Sequence, residues 1–389
     1  MTRIFHTLPL LPLLLCLLGA PAFAQAPAGP LPPKPGAPVQ EPPQPKAPGI
    51  RVRVSLVSTP VTVRDSTGRM VHDLAENDFR VLDNGVPQKI SHFDLGGDPL
   101  SLVLLLENSS RIAPLLPELR KTGILFTQQV MGPAGEAAVV TFNDSIDKLQ
   151  DFTSDAESIE KTIAQLKAGT SGSKLYDAMA VGVEMLSGRA GAAHSVTVGS
   201  GPAVPLRRRV LLVVSEATDA GSEAKLGEVL RQAQYASVTI YSVGLSTTRA
   251  QLQAEPKQTA PHVTPPGTFP QPPQPGTVQT PTSEQQRYGN IDLMALVVWA
   301  LSHVKDQVKD HALEVSTTAT GGMHLATFRD RSIEKAIDEI GGELHSQYTL
   351  SFTPAAPTDY GYHEIKVELA RPGLKVRARP GYYLAAPEN

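Results

Sequence analysis

Cysteine is nearly absent from this sequence: Cys16 is the single one among 389 residues. It lies inside an apolar leader, so a chain cleaved behind that leader holds no thiol and can form no disulfide. Size and core burial must then supply the stability. Aromatic residues are sparse at 5%, with one tryptophan, and Trp299 in an apolar segment reads as core. Charge of one sign is lacking as well. A formal net charge of -3 excludes the basic excess of a nucleic-acid binder, and Arg207-Arg208-Arg209 reads as a solvated approach to a strand. Beyond the leader no apolar run is long enough to cross a bilayer; Leu293 to Leu301 suits a buried helix.

Familiar catalytic signatures are missing too. Gly169-Thr170-Ser171-Gly172-Ser173 is glycine-rich but has neither the spacing and lysine of a phosphate loop nor the G-x-S-x-G elbow. The histidines form no H-E-x-x-H pattern, and His363-Glu364 lies in a strand where neighbours point to opposite faces. Asp144 and Asp147 read as turn residues.

What is present begins with the leader. Arg3, the leucine-rich Leu8 to Leu18 and Ala22-Phe23-Ala24 have the order of a cleavable signal peptide over 1–24, with the mature chain starting at Gln25. The bulky Leu14-Leu15 before Cys16 argue against a lipoprotein site. These residues predict a periplasmic or secreted protein with no transmembrane segment after cleavage. Proline, 35 residues in all, concentrates in two stretches. Residues 25–49 read as an extended linker and 247–288 as a low-complexity insertion, neither with apolar periodicity.

Between these stretches the pattern is regular. Residues 50–97 alternate as short strands (Val52 to Leu56, Val61 and Val63, Phe79 to Leu82, Gln88 to Phe93), and Asn84-Gly85 marks a tight hairpin. So small a β unit needs something to pack on. From Leu100 the period changes. Ser101 to Leu106, Ala137 to Phe142, Val210 to Val214 and Val238 to Val243 are apolar runs, as in parallel strands covered on both faces. Helical spacing fills the gaps at about 112–130, 154 onward, 175–186 and 222–234. A helix from about 291 ends at the Gly321-Gly322 cap, and another spans Ile333 to Leu344. The strands Tyr348 to Phe352, His363 to Leu369 and Val376 to Ala378 follow as an antiparallel unit over 347–389. The fold class expected is α/β, a doubly wound, mostly parallel sheet over 98–346 with small flanking antiparallel β units.

The order LLLENSSRI, VVTF, GTSGSKLYDAM, LLVVSEATDAGS resembles a von Willebrand factor type A domain. The blocks VSTPVTVRDSTGRMVHDLAENDFRVLDNGVPQKISHF and QYTLSF…HEIKVELARPGLKVRARPGYY extend the likeness to the bacterial VWFA-related family over most of 52–383. The resemblance implies a binding domain, not an enzyme, with a metal-ion-dependent adhesion site at the strand ends. Its Asp-x-Ser-x-Ser, Thr and Asp ligands fall here on Glu107, Ser109, Arg111, Ser173 and Glu216. Hard oxygens suit Mg²⁺ or Mn²⁺, but a guanidinium at Arg111 brings a permanent cation to the place of the metal. Three readings follow: Arg111 bridges Glu107 and Glu216 and replaces the metal, or a metal is retained, or the residues form a plain polar rim. The resemblance therefore implies no cofactor, with Mg²⁺ or Mn²⁺ disfavoured by Arg111, and a protein or envelope-surface partner. A structural envelope scaffold and an unrecognised hydrolase are the competing functions.

Overall fold

The structure is a computed structural model and describes residues 56–189, 207–245, 297, 311–327, 332–354 and 360–384. The leader, the 25–49 linker, the 247–288 insertion and nearly all of the segment 291–301 lie outside the described residues. Fourteen strands are named here in chain order. Strands β1 (Val57–Arg64), β2 (Phe79–Asp83), β3 (Val86–Gln88) and β4 (Ile90–Leu95) come from the N-terminal block. The α/β region supplies β5 (Leu100–Glu107), β6 (Glu136–Phe142), β7 (Ile146–Thr153), β8 (Arg208–Ser215), β9 (Val238–Gly244) and β10 (His324–Ala326). Last come β11 (Tyr348–Phe352), β12 (Gly361–Leu369), β13 (Lys375–Ala378) and β14 (Gly381–Leu384).

The central six-stranded sheet runs β10-β9-β8-β5-β6-β7, parallel throughout except for the antiparallel edge strand β7. Its inner strands are fully buried, which explains the unbroken apolar runs: successive residues point to opposite, equally covered faces. Leu102, Leu104 and Leu106 of β5, with Val210, Leu212 and Val214 of β8, pack under the helical stretch 110–131, the helix Ala156–Ala164 and the helix Ile333–Leu344. Val103, Leu105, Leu211 and Val213 face the other way. They pack against the helices Leu175–Ser187, Leu226–Tyr235 and Ala312–Thr320. This is the doubly wound, mostly parallel α/β arrangement that the patterning predicts.

Local chemistry sets the helix ends. The Asp155 carboxylate accepts the N–H groups of Glu157 and Ser158 at 3.1 and 3.4 Å, and the Ser332 hydroxyl accepts that of Lys335 at 3.2 Å. Gly321 sits at φ 81 and closes Ala312–Thr320, a left-handed position that a side chain resists.

Several elements differ from the sequence expectation. The helix expected over 112–130 is a succession of 3₁₀, α and π turns between Ser110 and Met131. Pro114 lacks the N–H that a regular helix needs, and the hydroxyls of Thr122 and Thr127 bond back to the carbonyls of Leu119 and Ile124 at 2.7 and 3.0 Å. The helix expected from Ser222 starts at Leu226, because residues 222–224 are tied to Tyr176 and Asp177 in the first turn of the helix Leu175–Ser187. The single strand expected over Gln88 to Phe93 is two: β3 pairs with β2, whereas β4 pairs with β11 in a different sheet. Strand β10, only Leu325 of which is buried, carried too short an apolar signal to be expected.

The larger difference concerns the flanking β units, expected as separate blocks at 50–97 and 347–389. They interleave. One sheet runs β13-β1-β11-β4 and the other β14-β12-β2-β3, each taking strands from both blocks. Val61, Val63, Val81, Tyr348, Phe352, Ile365 and Tyr382 fill the space between them. Neither block alone can close a two-sided core, so each completes the other. The two units are thus one β-sandwich formed by both ends of the described chain. The Asn84-Gly85 turn joins β2 to β3 with φ values of 47 and 81. Positive φ at both central positions is what a tight hairpin requires.

Candidate functional site at the strand ends

In an open parallel sheet, ligands bind outside the carboxyl ends of the strands where the connections depart in opposite directions. Here β5 is followed across the sheet by β6 on one side, and β8 by β9 on the other. The crevice therefore falls at the ends of β5 and β8, at Glu107 and Glu216.

Glu107, the last residue of β5, has no solvent exposure. Its Oε1 accepts the Ser109 hydroxyl at 2.6 Å and Arg111 Nη2 at 3.3 Å. Its Oε2 accepts the Ser215 hydroxyl at 2.8 Å and the Glu216 backbone N–H at 2.9 Å. Both carboxylate oxygens are thus engaged within the protein. Arg111 reaches on to Glu216, with Nε 3.6 Å from Oε2, and keeps 32% of its side chain exposed. The guanidinium lies between the two carboxylates, in the arrangement expected of an ion-pair cluster. A divalent ion would need those same oxygens, and the cation would stand in its way. The residues present do not fit the metal site of the related pattern.

Ser173 stands apart from these four. It is buried, and its backbone forms an isolated bridge with Ala220, donating at 3.4 Å and accepting at 2.7 Å, while its hydroxyl finds no partner among the described residues. Neither a hydrogen bond nor an ion pair joins it to Glu107 or Arg111.

Residues that sequence reading missed hold the face rigid. Ser215 supports Glu107 directly. Asn143 Nδ2 donates to Asn108 Oδ1 at 2.9 Å, and the Thr170 hydroxyl donates to Asn143 Oδ1 at 2.9 Å. Asp219 and Ser222 accept the N–H of Tyr176 at 3.2 and 3.1 Å, and Asp177 accepts those of Glu223 and Ala224 at 3.0 and 2.7 Å. Asp219 thus places a carboxylate at the N-terminus of the helix Leu175–Ser187, and Asp177 in the first turn of that helix holds the segment 222–224 in return. Asp144 lies in the turn between β6 and β7, as its turn reading expects, and accepts the N–H of Gly172 at 3.3 Å; Asp147 stands instead in β7, opposite Thr141, and accepts the hydroxyl of Ser145 at 2.8 Å. Ala217 adopts φ 65 directly after Glu216. A non-glycine residue held there stores strain at the rim of the crevice.

A second constellation appears away from this face. Ser242 Oγ lies 2.8 Å from His324 Nδ1, and His324 Nε2 lies 3.8 Å from Glu314 Oε1. Burial holds the His324 pKa below the usual histidine range, opposed by the Glu314 charge. Ser242 has no solvent exposure, however, so its hydroxyl presents no surface to a substrate.

The α/β part of this chain thus has the sheet topology of a von Willebrand factor A-like fold. Among solved structures, a conserved protein, BatB, from Bacteroides thetaiotaomicron is 12% identical, with a TM-score of 0.37, covering 63% of this chain and 98% of that one. The SpRpn10 VWA domain is 10% identical, at a TM-score of 0.33 with 61% and 93% covered. The vWF domain of the type V pili tip protein Mfa5 from Porphyromonas gingivalis is 14% identical, at 0.24 with 31% and 39% covered. No protein-family model and no curated protein matches this chain. Among the described residues no helix is long and apolar enough to cross a membrane.

Proposed function

We propose that this chain is an exported binding module, not an enzyme, which engages a protein or envelope-surface partner through the strand-end face without a metal. The position of Arg111 between Glu107 and Glu216, at 3.3 and 3.6 Å, carries the reading. Where a metal would offer a coordination position to an acidic group of the partner, the exposed part of the Arg111 guanidinium offers N–H donors to the same kind of group. The capped loops around it keep the surface in one geometry before binding, which lowers the entropic cost of association. Export rests on the leader 1–24 and its Ala22-Phe23-Ala24 site. Capture of partners by the tagged mature chain from envelope extract tests the module. Binding should be equal in Mg²⁺ and in EDTA and should fall at least tenfold in Arg111→Ala. Loss in EDTA with wild type would overturn metal independence.

A hydrolase has one observation in its favour, the Ser242–His324–Glu314 arrangement. Against it stands the complete burial of Ser242 within the sheet. A fluorophosphonate probe that labelled wild type but not Ser242→Ala would establish that reading.

A further inference from the structure

At the opposite end of the sheet, where β8 and β9 begin, a small cleft separates the α/β core from the β-sandwich. Ser58 and Pro60 of β1 form one wall, and Arg208, Arg209, Ser237 and Thr239 belong to the other. Its free volume is about 20 Å³. A cavity needs roughly 10–15 Å³ to hold one water-sized occupant, so this one admits a single small particle.

The charges around the cleft are unbalanced. Arg208 and Arg209 are 8% and 4% exposed, and Arg379 behind Ser58 is 3% exposed. Arg208 donates to the Leu344 carbonyl at 2.6 Å and to Gln347 Oε1 at 3.4 Å, and its Nε–H is buried without a partner. Arg209 donates to the carbonyls of Ala236 and Arg189, and Arg379 to those of Gly381, Ser58 and Gln234. Among the described residues none of the three forms an ion pair with a carboxylate. Neighbouring arginines do: Arg207 lies 3.6 Å from Glu136, and Arg64 lies 3.2 Å from Glu343. Asp98 and Asp94 act on Arg208 only through space. Burial brings Arg209 and Arg379 down to about 10, which leaves both charged at neutral pH. Carbonyl dipoles compensate a buried cation only in part, and an unpaired one is costly. Ser237, at φ 51, adds a strained backbone to the lining.

We propose that this cleft binds one small monovalent inorganic anion of chloride size, which joins the β-sandwich to the α/β core. The anion supplies the negative charge that the carbonyl-bound guanidiniums lack, and Ser237 and Thr239 contribute hydroxyl-bearing side chains to the lining. The site is independent of the strand-end face and survives if the proposed binding function fails.

Chloride replacement on the full chain tests it. At constant ionic strength, the melting temperature should rise saturably as gluconate is exchanged for chloride or bromide. The ³⁵Cl resonance should broaden beyond its width in gluconate-matched controls, and bromide should reverse the broadening. Folded Arg208→Gln and Arg209→Gln variants should bind chloride at least tenfold more weakly. If wild type shows equal melting temperatures in chloride and gluconate and no excess broadening, the cleft holds water only and the proposal is wrong. Equal stabilisation by every anion, or an unchanged chloride response in both variants, also overturns it.

Discussion

The Arg111 guanidinium lies 3.3 Å from the fully buried carboxylate of Glu107, four residues earlier in the chain. One member is sealed in protein and the other is partly open to solvent, and that asymmetry shapes what each substitution does.

Arg111→Ala removes the cation but leaves Glu107 its bonds to Ser109, Ser215 and the Glu216 N–H. Solvent screening on the arginine side and this residual support reduce the loss to about 1–3 kcal/mol, below that of a fully buried pair. Urea denaturation measures it. A neutral effect would show that the cluster is a solvated rim.

Glu107→Ala is the harsher change. It strands two hydroxyls, a backbone N–H and a guanidinium around a cavity, and should cost about 3–5 kcal/mol. Glu107→Gln, of similar volume, should lose less. Equal stability of Glu107→Ala and wild type in denaturant melts would refute the role given to this carboxylate.

Metal affinity should follow the charge at the crevice. Calorimetric titration of wild type with Mg²⁺ or Mn²⁺ should yield no saturable heat. Arg111→Ser combined with Glu107→Asp and Glu216→Asp restores oxygen ligands at a reach suited to bonds of about 2.1 Å and should create binding. Tight binding by wild type, abolished by Glu216→Ala, would return the site to the metal-dependent class.

Acid should weaken the fold through two histidines. Burial holds the pKa of His324 and of His345 below 6.5, in His345 with help from Arg208. As pH falls through 6.5 the unfolded chain takes up these protons before the folded one does. Stability is therefore full above that pH and is lost toward the depressed folded values. Melting temperatures from pH 7.5 to 5.5 should show this decline, and His324→Asn should flatten it. An unchanged slope would assign the pH dependence elsewhere.

Helix Ala312–Thr320 ends on Gly321 at φ 81, where an added Cβ would stand 2.6 Å from the Arg379 backbone nitrogen. Gly321→Ala should cost at least about 1–2 kcal/mol from conformation alone, with the clash added. A thermal melt of the variant that matched wild type would contradict this tight approach.

Much of this was legible along the chain. Unbroken apolar runs reveal strands covered on both faces, so β5, β6, β8 and β9 could be read from hydrophobicity alone. Asn84-Gly85 and Gly321 announce themselves because few residues tolerate positive φ. Glu107, Ser109, Arg111 and Glu216 came from the family resemblance, whose motif positions fall at the end of β5 and just after β8, where a parallel sheet presents its strand ends. Tertiary structure decided the rest. Pairing of β1 with β11 and of β2 with β12 joins segments from opposite ends of the described chain, and short alternating strands carry no record of their partners. Arg208 and Arg209 looked like a solvated run, and Ser242 and His324 showed no motif. Burial and encounter depend on what the rest of the chain places beside a residue, and local periodicity does not encode that.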